Sequence, residues 1–337
     1  MDAMQQELKA FKDPALARGL IESIQALAPE SATLMEVCGT HTVAIARNGI
    51  RGLMPEGVHL ASGPGCPVCV TSNHDIDKVI ALARVPEVAI ATFGDMTRVP
   101  GSTSSLLAEQ AAGRSVEIVY SPLDALRLAQ ENPDRQIVFV GVGFETTTPL
   151  VAMAIKRARA MDLANFTVYG AHKNMPGALE VIINDPSLKL DALILPGHVS
   201  TIIGAEPYRF LAEKYGIPGV IPGFEPVDVL QGIAMIMRQL HEGRADIEIA
   251  YARGVMPEGN PVAPPSTRCS RPARPPGAAW ARFLAAATAF ATSSPSSTPC
   301  AVFSPTWKRC ASTKAAAAGT CSAASWPRAS ARCSGRV

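Results

Sequence analysis

Residues 136–160 read QIVFVGVGFETTTPLVAMAIKRARA, and this stretch decides the fold. Its opening run, QIVFVGVGF, is almost wholly apolar, rich in β-branched side chains and interrupted only by glycine. It is too short for a core helix, so it predicts a strand buried on both faces. Glu145 and three threonines then make a polar turn. Thr148-Pro149 opens a helical pattern that runs to Ala160, with proline in the first turn, where its missing N–H is not needed. A buried strand that empties through a short loop into a helix is half of a βαβ unit.

The same rhythm extends in both directions. TLMEV, GVHLAS, EVAIATF and VEIVYS precede the stretch, and FTVYGA, ALILPG and GVIPGF follow it, each closed by a polar or glycine-rich loop. Helical patterns lie between them at Asp75–Arg84, Ser105–Ala112, Leu123–Glu131, Pro176–Asn184 and Pro226–Glu242. Upstream, Asp13-Pro14 is a helix start, and Leu16, Leu20, Ile24 and Leu27 recur at helical spacing. The expected fold class is α/β with two Rossmann-like parallel-sheet units. A helical segment spans residues 1–30, a first α/β domain 31–120, a second 121–263, with Tyr120-Ser121-Pro122 as the hinge. In such sheets ligands gather at the carboxyl ends of the strands.

Composition sets the remaining bounds. A chain of 337 residues with 47% hydrophobic content can fill two cores. There is no basic stretch followed by an apolar one at the start and no apolar run of about 20 residues, so the expectation is a soluble, cytoplasmic protein without a membrane segment. The net charge of +2 conceals an asymmetry: residues 264–337 hold ten of the 31 basic side chains and none of the 29 acidic ones, which leaves residues 1–263 at −8. A main body of that sign is not a nucleic-acid binder.

Several groups of residues can carry chemistry. In EVCGTHTVAIA, Cys38 and His41 stand three apart directly after a strand, a spacing that offers thiolate and imidazole to one soft metal such as iron or zinc. The competing reading is a buried cysteine beside a helix-capping histidine. In GVHLASGPGCPVCVTSNHDIDKV, Cys66 and Cys69 form a Cys-x-x-Cys just before a helix expected to begin near Ser72 to Asp75. The helix N-terminus favours thiolate, which predicts a lowered thiol pKa and reversible dithiol chemistry. A structural zinc would need two more ligands, and no second such pair supplies them. In GVGFETTTP, Glu145 follows the deciding strand, and Thr146 to Thr148 are placed to cap the helix after it or leave its N–H groups open to an anion. Asp95 and Arg98 in FGDMTRVPGS suit a loop-holding ion pair as well as a ligand site. His172, Lys173, His198 and Glu225 stand in further loops at strand ends.

Taken in order, CGTH, GPGCPVC, FGDMTRVPGS, YSPLDAL, GFETT, PGHVSTIIG and PGFEPVDVLQGI resemble the HypD family of hydrogenase maturation factors over about residues 31–263. The resemblance implies two Rossmann-like units flanking a cleft, and a smaller region with a 4Fe-4S cluster. It also implies a HypC-type small chaperone and a HypE-type cyanide donor as partners, with the hydrogenase large subunit served indirectly. By the same resemblance Cys38 is the iron ligand of an Fe(CN)2CO intermediate, and His41 a second ligand or proton relay. Cys66 and Cys69 are a redox pair, and the protein is a redox-active assembly scaffold more than a turnover enzyme. A stand-alone thiol-disulfide oxidoreductase is the alternative. A nucleotide-binding protein is the weakest reading, because no G-x-x-x-x-G-K-[ST] occurs.

Residues 264–337 depart from the family. They mix Ala, Ser, Arg, Pro and Cys without periodicity, a composition that specifies no core, and the expectation is an irregular, disordered tail. If the bases of GC-rich codons are regrouped so that each new codon takes the last base of one and two of the next, Ser266 to Arg271 reads L-D-E-V-F-E. In the same frame Ala315 to Cys321 reads G-C-R-C-G-D-V. These phrases resemble the family's continuation and its cysteine-bearing cluster region. The expectation is a one-base frame error near Ala263 to Pro265, to be checked by resequencing that part of the gene. In the chain as given the cluster ligands are missing, and the tail cysteines do not inherit that role.

Overall fold

The computed structural model describes residues 13–263 and the backbone of 301–303. Among the described residues two five-stranded sheets carry helices on their faces. The first sheet is built from β1 (Ala32–Glu36), β2 (Val58–Ser62), β7 (Ala192–Ile194), β8 (Gly219–Ile221) and β9 (Ile247–Ile249), in the order β2-β1-β7-β8-β9, all parallel. The second is built from β3 (Val88–Thr92), β4 (Val116–Ile118), β5 (Gln136–Gly141), β6 (Phe166–Gly170) and β10 (Ala301–Phe303), in the order β10-β6-β5-β3-β4. Only β10 runs antiparallel.

The helices are α1 (Pro14–Leu27), α2 (Gly39–Arg47), α3 (Asn73–Ala83), α4 (Leu106–Ala111), α5 (Pro122–Glu131), α6 (Thr148–Ala160), α7 (Met175–Ile183), α8 (Gly197–Ile203), α9 (Arg209–Tyr215) and α10 (Pro226–Glu242). The α/β class, the eight strands and the expected helix starts at proline are all present. The segments β9, α2, α8 and α9 lack a sequence signal of their own, being short or only partly amphipathic.

The sheets do not divide at the expected hinge of Tyr120-Ser121-Pro122, because the first sheet takes strands from both sides of the second. Consecutive strands usually share a sheet, but here the chain crosses from the first sheet to the second after β2 and returns before β7. The residues between β2 and α3, which include GPGCPVC, are therefore the outward crossing.

Packing follows the burial of each strand. Central β5 and β3 are enclosed along nearly their whole length, as their apolar sequences require. On the first sheet α10 lays Val229, Leu230, Ile233, Ile236 and Met237 against Leu34, Ile45 and Ile194, with Ile24 of α1 in the same cluster. Each such side chain contributes roughly 1.5–3 kcal/mol by leaving water. Gly243, at φ 62°, ends α10 in the left-handed conformation that other residues resist. Helix α10 also starts with reciprocal capping between Glu225 and Asp228. A further cluster joins the two sheets: Phe144 and Met175 from the second pack with Met35, Leu195 and Tyr208 from the first. The carboxyl-end loops of the two sheets thus meet. No helix among the described residues is long and apolar enough to cross a membrane.

The expectations for residues 264–337, including disorder and the frame error, lie outside the described residues apart from the backbone of 301–303. So do residues 1–12 of the N-terminal segment.

Candidate functional site

The chain runs from β1 to β2 on one side of the first sheet and from β7 through β8 to β9 on the other, so the strand order reverses between β1 and β7. Cys38 stands at that reversal, two residues past β1. In the second sheet the reversal lies between β3 and β5, and Glu145 follows β5. Both residues therefore occupy the crevice positions where such sheets bind ligands.

Cys38 is buried and is the N-cap residue of α2, yet its side chain makes no capping bond. The carboxylate of Glu36, fully buried, accepts the Cys38 N–H at 3.2 Å and the Thr42 hydroxyl at 2.6 Å. The Cys66 loop lies on the same turn. Gly63 donates its N–H to the Glu36 carbonyl at 2.7 Å, and a Cβ on Gly65 would stand 2.6 Å from the Cys38 and Gly39 nitrogens. Glycine is needed there for close backbone approach.

Cys66 is partly exposed and Cys69 exposed, both as free thiols. A hydrogen bond from Cys66 pushes the Cys69 thiol up, with partial burial adding to it. This reverses the lowered value expected from the helix N-terminus. That terminus is already closed: Ser72 Oγ accepts the Asp75 N–H at 3.1 Å, and Cys69 lies outside the first turn. Two adjacent thiols share their protons as a pair.

His41 is fully buried, with Nε2 at 3.0 Å from the Gly223 carbonyl, which fixes Nε2 as the donor. Nδ1 has no hydrogen-bond partner. Burial lowers its pKa to about 4, offset in part by the Gly223 and Pro222 carbonyls. A neutral ring with an unprotonated Nδ1 suits either a ligand or a proton acceptor. Phe224 is held between two imidazoles, stacked on His41 at 5.0 Å and on exposed His198 at 4.1 Å, with Tyr251 edge-on. A groove of about 530 Å³ beside it is lined by Thr40, Val43, Ala44, Phe224 and Pro226. Behind Phe224, buried Asp228 is gripped by both terminal nitrogens of Arg253, one at 2.8 Å.

In the second sheet Glu145 Oε1 accepts the Met175 N–H at 2.9 Å, while Oε2 is buried without a partner. Burial raises its pKa. His172 is lowered to about 4 by burial, and its Nε2 is likewise unpartnered. Lys173 lies 3.5 Å from Asp75, which also accepts from Tyr169 at 3.2 Å. Buried Tyr208 packs in the cluster that joins the two sheets, and burial, with the charges of Glu145 and Cys38 adding to it, pushes its hydroxyl pKa up. The threonines after Glu145 do not cap α6 as expected. Thr147 and Thr148 turn back to donate their hydroxyls to the Phe144 carbonyl at 3.2 and 3.0 Å, which also accepts the Thr147 N–H. Asp95 caps a single 3-10 turn through the Met96 N–H at 2.9 Å.

The structure thus gathers Cys38, His41, Cys66 and Cys69 at the carboxyl end of the first sheet, with His198 and Glu225 beside them. Glu145, His172 and Lys173 stand at the carboxyl end of the second. Sequence reasoning missed Glu36, Phe224 and Tyr208. An acidic residue inside the run TLMEV was the available signal for the first.

These features define a class: a two-sheet α/β protein whose buried thiol and exposed dithiol share one strand-end crevice. The HypD family model, described as the hydrogenase formation hypA family, matches residues 15–269. The chain belongs to the HypD family. It is 50% identical to the hydrogenase maturation factor HypD of Rhodobacter capsulatus over 259 residues, 75% of this chain and 69% of that protein. With the HypD of Azotobacter vinelandii it shares 48% over 258 residues, covering 74% and 68%. With that of Escherichia coli it shares 46% over 230 residues, covering 68% and 62%.

Among the described residues no group of three or more His, Cys, Asp or Glu is arranged to hold a metal ion. The three described cysteines divide between a buried cap and an exposed turn, so they do not fit a resident 4Fe-4S cluster. The segment that the family resemblance assigns to it lies outside the described residues.

Proposed function

We propose that this chain is a hydrogenase maturation scaffold that receives iron as its cargo on Cys38 while an Fe(CN)2CO unit is assembled with HypC-type and HypE-type partners. The observation that carries the reading is the N-cap position of Cys38. Its sulfur is buried at the strand reversal and is not used for capping, so a soft donor is left for low-spin ferrous iron. His41, neutral and fixed through Nε2, serves as second ligand or proton acceptor. The remaining iron positions belong to the diatomic ligands and to the partner.

The Cys66 and Cys69 pair supplies electrons. Closing it to a disulfide releases two electrons and two protons, which is what cleaving the S–C bond of a thiocyanate carrier into thiol and hydrogen cyanide consumes. Glu145 is the proposed proton carrier on the facing lobe, since burial raises its pKa above the ordinary carboxyl value. The test is infrared spectroscopy of the chain purified with its small chaperone partner. Cyanide and carbonyl stretches are expected, and are expected to vanish in Cys38→Ala; an unchanged spectrum in that variant would overturn the assignment. A stand-alone thiol-disulfide oxidoreductase is the second reading, favoured by the Cys66–Cys69 contact and the exposure of Cys69. It requires dithiol exchange at full rate without Cys38.

A further inference from the structure

The fully buried Glu36 carboxylate has no place in the proposed chemistry, yet it holds the turn on which that chemistry stands. An N-cap residue ordinarily spends its own side chain on the first turn of the helix. Here the N-cap is Cys38, and Glu36, two residues earlier, closes the turn from inside. One oxygen accepts the Cys38 N–H at 3.2 Å and the other the Thr42 hydroxyl at 2.6 Å, so both ends of the first turn of α2 are fastened to one side chain. The Glu36 carbonyl also receives the Gly63 N–H at 2.7 Å, which ties the Cys66 loop to the same residue.

From this geometry we infer that Glu36 is the positioning residue of Cys38: by holding the Cys38 N–H and the Thr42 hydroxyl it fixes the backbone turn that carries the sulfur, and with it the direction in which that sulfur faces. The inference rests on the reading of Cys38 as the iron-holding thiol for its functional meaning, but its geometry is tested without iron.

The experiment follows alkylation of Cys38 by iodoacetamide in the full chain, read peptide by peptide against Cys66 and Cys69. Glutamine offers one oxygen for the Cys38 N–H and an amide for the Thr42 hydroxyl, so Glu36→Gln should stay near the parent rate. Glu36→Ala releases the turn, and Cys38 should react about tenfold faster, the scale of losing a buried hydrogen bond, while Cys66 and Cys69 keep their rates. Thr42→Val, which removes one of the two bonds and leaves no buried gap, should fall between and serves if the alanine variant does not fold. Equal rates at Cys38 in Thr42→Val and parent, or all three cysteines speeding up together, would overturn the inference. Ferrous iron retained by the same preparations is measured in parallel. A parent chain that holds no iron but shows the expected alkylation pattern defeats the proposed function and leaves the positioning role standing.

Discussion

Gly65 faces Cys38 so closely that a Cβ on it would stand 2.6 Å from the Cys38 nitrogen and 2.7 Å from its carbonyl carbon. The obstructing atoms are backbone, which has no rotamer to yield. Gly65→Ala should therefore displace the Cys66 loop, with a loss of about 1–3 kcal/mol from overpacking. Urea unfolding measures the loss, and an unchanged midpoint would show that the loop moves freely over β1.

His172 gives the fold a pH dependence of known sign. Burial holds its folded pKa at about 4 against an ordinary 6.5. The unfolded chain therefore binds a proton that the native state refuses, and stability that is complete above pH 6.5 is lost as pH falls toward 4. The loss is roughly 2–3 kcal/mol. His172→Leu should flatten the urea midpoint across that window, and His41 acts in the same direction.

Glu145 works with the opposite sign. Its folded pKa is raised by burial, so its ionisation opposes folding once pH rises above the ordinary carboxyl value of 4.5. Glu145→Gln should be more stable than the parent at pH 7, and the gain should disappear below pH 4. If Glu145 carries a proton in the assembly reaction, the same variant loses activity while gaining stability.

Asp228 is 1% exposed, and Arg253, 41% exposed, grips it with two nitrogens. Arg253→Met leaves a buried carboxylate short of its cation. The cost is about 2 kcal/mol, reduced from the scale of a fully buried pair because water screens the arginine. Asp228→Asn should cost less, since the amide oxygen still accepts. Thermal unfolding of the two variants compares them directly.

The strands, their parallel pairing and the helix starts at proline were legible because local signals and tertiary structure agree there. QIVFVGVGF is apolar on both faces and lies in the middle of its sheet. The assignment of strands to sheets was not legible, because nothing local in GVHLASGPG marks that the next strand joins another sheet. At the site, Cys38, Cys66 and Cys69 stood out by residue type and loop context. The raised Cys69 thiol did not, since it depends on which way the Cys66 hydrogen points and on Ser72 having closed the helix end. Glu36 was hidden for a related reason: one acidic residue in a strand reads as an outward-facing position until its two partners are seen.

The nesting of one sheet inside the other orders events during synthesis. Strand β1 leaves the ribosome with only β2 to pair with, and its other edge waits until β7, some 158 positions later, has been made. The inserted lobe has all its parallel strands by Gly170, before the outer one can close. The crevice around Cys38 is thus the last part of the body to be assembled. It is complete once Arg253 has emerged.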